Sequence, residues 1–132
     1  MIVILDASAC VEFLLGTRLG AAVATEVIAA DSLHAPELLV SEVVSALRGL
    51  TRAGTISPTD ATLALRDLAR LDVQLVGALP LAEQIYRLGA AHSTYDAHYV
   101  ALVRAIGGVV ITTDAKLASA LDPDEVRLVR RD

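Results

Sequence analysis

Two short apolar runs, each closed by an aspartate, constrain this chain more than any other feature. Ile2-Val3-Ile4-Leu5 leads into Asp6, and Val109-Val110-Ile111-Thr112-Thr113 leads into Asp114. Residues 2 to 5 and 109 to 112 do not alternate apolar with polar side chains and are rich in β-branched residues, the pattern of strands covered on both faces. Such strands belong to parallel sheets, whose crossover connections lay helices over the sheet.

The sequence between the two runs has a helical period. Leu39, Val43, Leu47 and Leu50 share one stripe, and Gly54 follows as a helix stop. Ser57-Pro58-Thr59-Asp60 combines a cap serine, proline at the first helical position and an acid three residues after the cap, ahead of Leu63, Leu65, Leu68 and Leu71. Val73 to Val76 predicts a strand. Helices are expected from Pro80 to about Ala91, from Thr94 or Tyr95 to Ile106 and from Asp114 to Leu121, with a terminal strand from Val126 to Val129. His34, before Ala35-Pro36, reads as a loop residue.

Strands alternating with helices in this order predict a three-layer α/β/α sandwich with a mostly parallel central sheet and right-handed crossovers. With 132 residues, 55% of them hydrophobic, one domain spanning 1–132 is the expectation. Sites in such sheets lie at the carboxyl ends of strands, which is where Asp6 and Asp114 would sit together.

The net charge of -5 argues against a broadly basic surface for general nucleic-acid binding, but acids converging on a divalent cation leave room for a nucleic acid as substrate. Cys10 is the only cysteine, so an intrachain disulfide and a cysteine-rich zinc site are excluded, and a reducing, cytoplasmic setting is expected. The apolar start carries Asp6 and Glu12 without a basic leader, unlike a signal peptide, and no apolar run is long enough to span a bilayer.

Taken singly, each candidate acid has an adequate structural role. Asp6 and Asp114 can cap the helices that follow them, Ser93-x-x-Asp96 resembles a capping box, and Glu42 lies at the edge of an apolar helical stripe from which it could reach solvent. On that alternative the chain is a non-catalytic α/β binding or regulatory module. Taken together the acids mean more, because several buried carboxylates repel one another unless a cation neutralises them. Hard oxygen donors suit Mg²⁺ or Mn²⁺, and a carboxylate-held metal site is suited to phosphodiester hydrolysis.

Other candidates are weaker. His92, Asp96 and His98 are close in sequence, but His98 is offset by two residues from Asp96 and no cysteine supports a zinc site. No serine sits in a nucleophile elbow, and Gly107-Gly108 precedes a strand where a phosphate loop would follow one. A phosphorylation receiver would close its first strand with adjacent acids. Arg48, Arg52, Arg66 and Arg70 fall at helical spacing and could form a substrate-facing or partner-facing basic stripe, but read at least equally well as a solvated face. Lys116 reads as solvated, with a phosphate as its alternative contact.

Over nearly its full length the chain resembles PIN-domain ribonucleases, specifically the VapC toxin type of bacterial toxin-antitoxin modules. The resemblance rests on Ile2-Val3-Ile4-Leu5-Asp6-Ala7-Ser8, on Pro36 to Glu42, on Tyr95-Asp96-Ala97-x-Tyr99-Val100-Ala101-Leu102 and on Ile111-Thr112-Thr113-Asp114-x-x-Leu117. It implies that Asp6, Glu42, Asp96 and Asp114 bind Mg²⁺ or Mn²⁺ and support RNA cleavage. Asp6 and Asp96 are the first-named ligands, Asp114 completes the site, and Glu42 binds a second ion or orients the attacking water. Thr112 and Ser8 match the family's supporting polar positions. The resemblance also implies a VapB-type antitoxin partner and a homodimer. Some relatives carry a further acid where Lys116-Leu117 stand here, which leaves the number of metals open.

Overall fold

A computed structural model describes residues 1–130 of the chain. Five strands form one sheet in the order β3-β2-β1-β4-β5, comprising β1 (Ile2–Leu5), β2 (Ser32–Pro36), β3 (Val73–Val76), β4 (Val109–Thr112) and β5 (Val126–Leu128). Every pairing is parallel. Helices α1 (Ala7–Leu15), α2 (Arg18–Ala29), α3 (Leu38–Arg52), α4 (Pro58–Arg70), α5 (Ala82–Leu88), α6 (Thr94–Ile106) and α7 (Ala115–Ser119) make the connections, with a 3₁₀ turn at Leu79–Leu81 before α5.

The two faces of β1 explain the layers. Val3 and Leu5 join a core with Leu39, Val43 and Leu47 of α3, whereas Ile4 joins a second core with Tyr99, Val100 and Leu117 of α6 and α7. Successive strand residues point to opposite faces, so a strand apolar at every position must be covered twice. The sheet is therefore a sandwich filling. Close approach of β4 to β1 depends on Gly108, at φ +91, where an added Cβ would lie 2.3 Å from the Ile2 carbonyl oxygen.

β2 departs from the sequence reading. His34 lies within it, paired with Ile4 on one side and Gln74 on the other. Leu33 and Ala35 are buried, while Ser32 and His34 are half-buried and hydrogen-bond each other at 2.9 Å. Ser32 and His34 share one face of the strand with the buried Pro36, and past that proline the link to β3 continues through the Glu37 N–H, which donates to the Val76 carbonyl at 3.0 Å. The region before α3 also holds α2, packed closely on α1 through Gly20. The helix expected from Pro80 to Ala91 is the 3₁₀ turn followed by α5, and α7 and β5 each end earlier than expected.

β1 is the point at which the strand order reverses, with β2 on one side and β4 on the other. Parallel sheets open a crevice at the carboxyl ends of strands flanking such a reversal. Asp6 and Asp114 follow those ends. No single helix among the described residues is long and apolar enough to cross a membrane.

Candidate active site

Asp6 continues the β1–β4 ladder, its N–H donating to the Ile111 carbonyl at 3.1 Å, and then starts α1 as its cap residue. Its side chain is 6% exposed, and burial raises its pKa above the ordinary 3.8, against the lowering effect of hydrogen bonds from Ser8 and Thr112. Desolvation outweighs the donors here.

Those donors converge on one oxygen. Thr112, fully buried at the end of β4, donates its hydroxyl to Asp6 Oδ2 at 2.7 Å and accepts the Asp114 N–H at 2.9 Å. Ser8 Oγ donates to the same Oδ2 and accepts the Thr113 N–H at 3.1 Å. Two hydroxyls thus stitch the end of β1 to the end of β4. Ser8 does more than a helix-start residue needs: Asp6 is the cap, and Ser8 supplies both the capped N–H and a hydroxyl. Behind this group the Cys10 thiol, buried and near the Asp6 charge, is pushed up to about 12.

Glu42 enters from α3. Its Oε1 accepts the Tyr99 hydroxyl at 2.7 Å, a bond that joins α3 to α6 on the opposite layer. Burial raises the Glu42 pKa above 4.5; the Tyr99 bond opposes the shift, and the charges of Asp6 and Asp96 add to it. Tyr99 is 1% exposed, and its own pKa is driven up by burial and by Asp6 and Glu42. Sequence reasoning gave Tyr99 no role of its own. The signal was there, because a tyrosine inside the apolar stripe of α6 must find a partner for its hydroxyl.

Asp96 stands half-buried in the first turn of α6. Its N–H donates to Ser93 Oγ at 3.1 Å, but among the described residues no donor bond to its carboxylate closes a capping box. The side chain is left within electrostatic reach of Glu42. Asp114 differs, since its Oδ1 accepts the Lys116 N–H at 2.9 Å and caps α7. The structure therefore brings Asp6, Glu42 and Asp96 within electrostatic reach and ties Asp114 to them through Thr112.

No three His, Cys, Asp or Glu side chains among the described residues are close enough to form a ready-made metal cage. That applies to His92, Asp96 and His98 as well: His92 and Asp96 line one cleft, while His98 bonds the Thr94 carbonyl and lines another. Two clefts flank the acids. One, of about 480 Å³, holds Glu42 with Ser41, Ser45 and Tyr95; the other, of about 440 Å³, holds Asp96 with His92, Ser93 and Lys116. A larger one of about 860 Å³, with Leu79, Tyr86 and His98, touches none of the four acids, so size is a poor guide to the chemistry here.

A parallel sandwich with acids gathered where its strand order reverses is the arrangement of a PIN domain. The model of that family matches residues 3–121, and the chain belongs to it. Within the family the chain is of the VapC type. It is 36% identical over 116 residues to Ribonuclease VapC9 of Mycobacterium tuberculosis, covering 88% of each chain. It is 34% identical over 118 residues to Ribonuclease VapC12 of the same organism, covering 89% of this chain and 91% of the relative. Among solved structures, PAE2754 from Pyrobaculum aerophilum superposes with a TM-score of 0.73 over 96% of this chain and 83% of the other, at 20% identity, a likeness of fold.

Proposed function

We propose that Asp6, Glu42, Asp96 and Asp114 hold divalent metal, Mg²⁺ or Mn²⁺, at the carboxyl ends of β1 and β4, and that RNA is cut there. The chain is an endoribonuclease of the VapC toxin class, a hydrolase of phosphodiester bonds. The observation that carries the metal reading is the electrostatics of Glu42, whose carboxylate is desolvated and lies within reach of the Asp6 and Asp96 charges. Like charges held together in a half-buried crevice are disfavoured until a cation joins them.

The donor set fits a hard cation, being all carboxylate oxygen with neither sulfur nor imidazole in the group. When bound, the metal would supply Lewis-acid polarisation of the phosphate and neutralise its charge. Ser8 and Thr112 fix Asp6 Oδ2, so the orientation of this carboxylate is set before any ligand arrives. Tyr99 fixes Glu42 Oε1. The other oxygen of Glu42, on a carboxyl whose pKa burial raises, is suited to orient the attacking water and take its proton.

Capping and catalysis coexist here, since Asp6 caps α1 and Asp114 caps α7 with the same carboxylates. A VapB-type antitoxin as partner, a homodimer as the assembly and the cytoplasm as the setting complete the proposal, supported by kinship with the VapC ribonucleases. The test is cleavage of total RNA with Mn²⁺, with excess EDTA and with Asp6→Asn. Cleavage is expected with Mn²⁺ alone. Full activity in EDTA, or robust cleavage by Asp6→Asn, overturns the metal-site assignment.

A further inference from the structure

The cleft beside Asp96 lies between the turn at residues 89–93, the first turn of α6 and α7. Besides Asp96 its polar wall is His92, Ser93, Lys116 and Ser119, and the remainder is glycine and alanine. Lys116 is the only lysine in the chain. Like Arg18, Arg48, Arg52 and Arg66 it makes no ion pair among the described residues, but unlike them it lines a cleft that holds one of the four acids. A chain of net charge -5 thus places an unneutralised cation two residues after one site acid and in the same cleft as another.

The opposite cleft, beside Glu42, contains no cation; Ser41, Ser45 and Tyr95 are its polar residues besides the acid. The crevice is therefore charge-asymmetric. Of the two clefts, the one on the α7 side offers a polyanion a favourable charge, where a phosphate would otherwise face the bare Asp96 carboxylate. The small side chains along the rest of the wall let a sugar-phosphate backbone approach closely.

We propose that this cleft is a subsite for an RNA backbone phosphate adjoining the scissile one, with Lys116 as its charged contact and His92, Ser93 and Ser119 as polar walls. The proposal rests on the ribonuclease reading and adds to it a direction, since the strand leaves the acids over α7. A phosphate contact of this kind is blind to base identity and weakens with salt.

The test uses the Asp6→Asn chain with Mn²⁺, so that a fluorescein-labelled single-stranded oligoribonucleotide of mixed sequence remains uncut while its binding is followed by anisotropy. Adding Lys116→Ala should raise Kd roughly fivefold at low salt, and should flatten the slope of log K against log salt by about 0.7, the share of one single-strand phosphate. Lys116→Arg should restore both, because it returns the charge. An unchanged Kd and slope in Lys116→Ala, while the parent chain with Asp6 intact still cleaves RNA, overturns the subsite alone. A parent chain that neither cleaves nor binds RNA overturns the ribonuclease reading and the subsite with it.

Discussion

Two helix starts in this chain carry the same spelling and use it differently. At α4, Ser57 Oγ accepts the Asp60 N–H at 3.0 Å and Asp60 Oδ2 accepts the Ser57 N–H at 3.0 Å, a closed capping box. At α6, Ser93 Oγ accepts the Asp96 N–H at 3.1 Å, and no reciprocal bond is made to the Asp96 carboxylate among the described residues. The first acid is fully exposed and its pKa is lowered by its bonds to Ser57. The second is half-buried and adds to the repulsion felt by Glu42. A motif records what a side chain is able to do; its neighbours across the fold decide what it does.

The largest consequence concerns activity. Asp96→Asn should lower RNA cleavage by about a hundredfold or more, the scale on which removing one charge-stabilising contact acts, while Asp60→Asn leaves the rate as it was. Both are measured on one labelled RNA with Mn²⁺ in excess. Equal rates for the two variants would erase the distinction between the helix starts and return Asp96 to the role of a cap.

Much of the fold was legible because its signals are local. β1 is apolar at every position and β4 at all but its last, Thr112, and a strand covered twice is apolar along its length. Ser57-Pro58-Thr59-Asp60 set the start of α4 within the segment itself. β2 was illegible because its buried residues, Leu33, Ala35 and the closing Pro36, are interrupted by the half-buried His34, so its membership of the sheet is decided by β1 and β3 on either side. The site divides in the same way. The four acids proposed for it were named from the strand ends and from the motifs of the family resemblance, whereas the Tyr99–Glu42 bond joins residues 57 apart in sequence, and the charge that Asp96 sets against Glu42 depends on how the fold places α6 against α3.

Stability should separate the two starts by smaller amounts. The serine hydroxyl does the same work in both, so Ser57→Ala and Ser93→Ala should each cost about 1 kcal/mol in urea unfolding. The acids should part company: Asp60→Ala lowers the urea midpoint, and Asp96→Ala in EDTA leaves it level or raises it, since a repelling charge is removed. A midpoint for Asp96→Ala that falls as far as that for Asp60→Ala would mean that its carboxylate closes a box in solution.

The finest discrimination comes from pH, because the two sites are linked to protons with opposite sign. Asp60 has a folded-state pKa below its ordinary 3.8, so the stability it contributes is present above that value and is lost as pH falls through the lowered one. Glu42 and Asp6 have folded-state values above 4.5 and 3.8 respectively, each chiefly through burial. The folded chain then holds more protons than the unfolded chain just above the ordinary range, and by linkage its stability falls as pH rises through the raised values. In EDTA, melting temperature should therefore decline as pH rises above the ordinary carboxylate values of 3.8 and 4.5. Asp96→Asn removes one of the charges that raise Glu42 and should make that decline shallower, whereas Asp60→Asn should leave it unchanged and flatten only the loss at the acid end. An identical pH profile for Asp96→Asn and the parent would place its carboxylate out of reach of Glu42, and the acid cluster would have to be drawn without it.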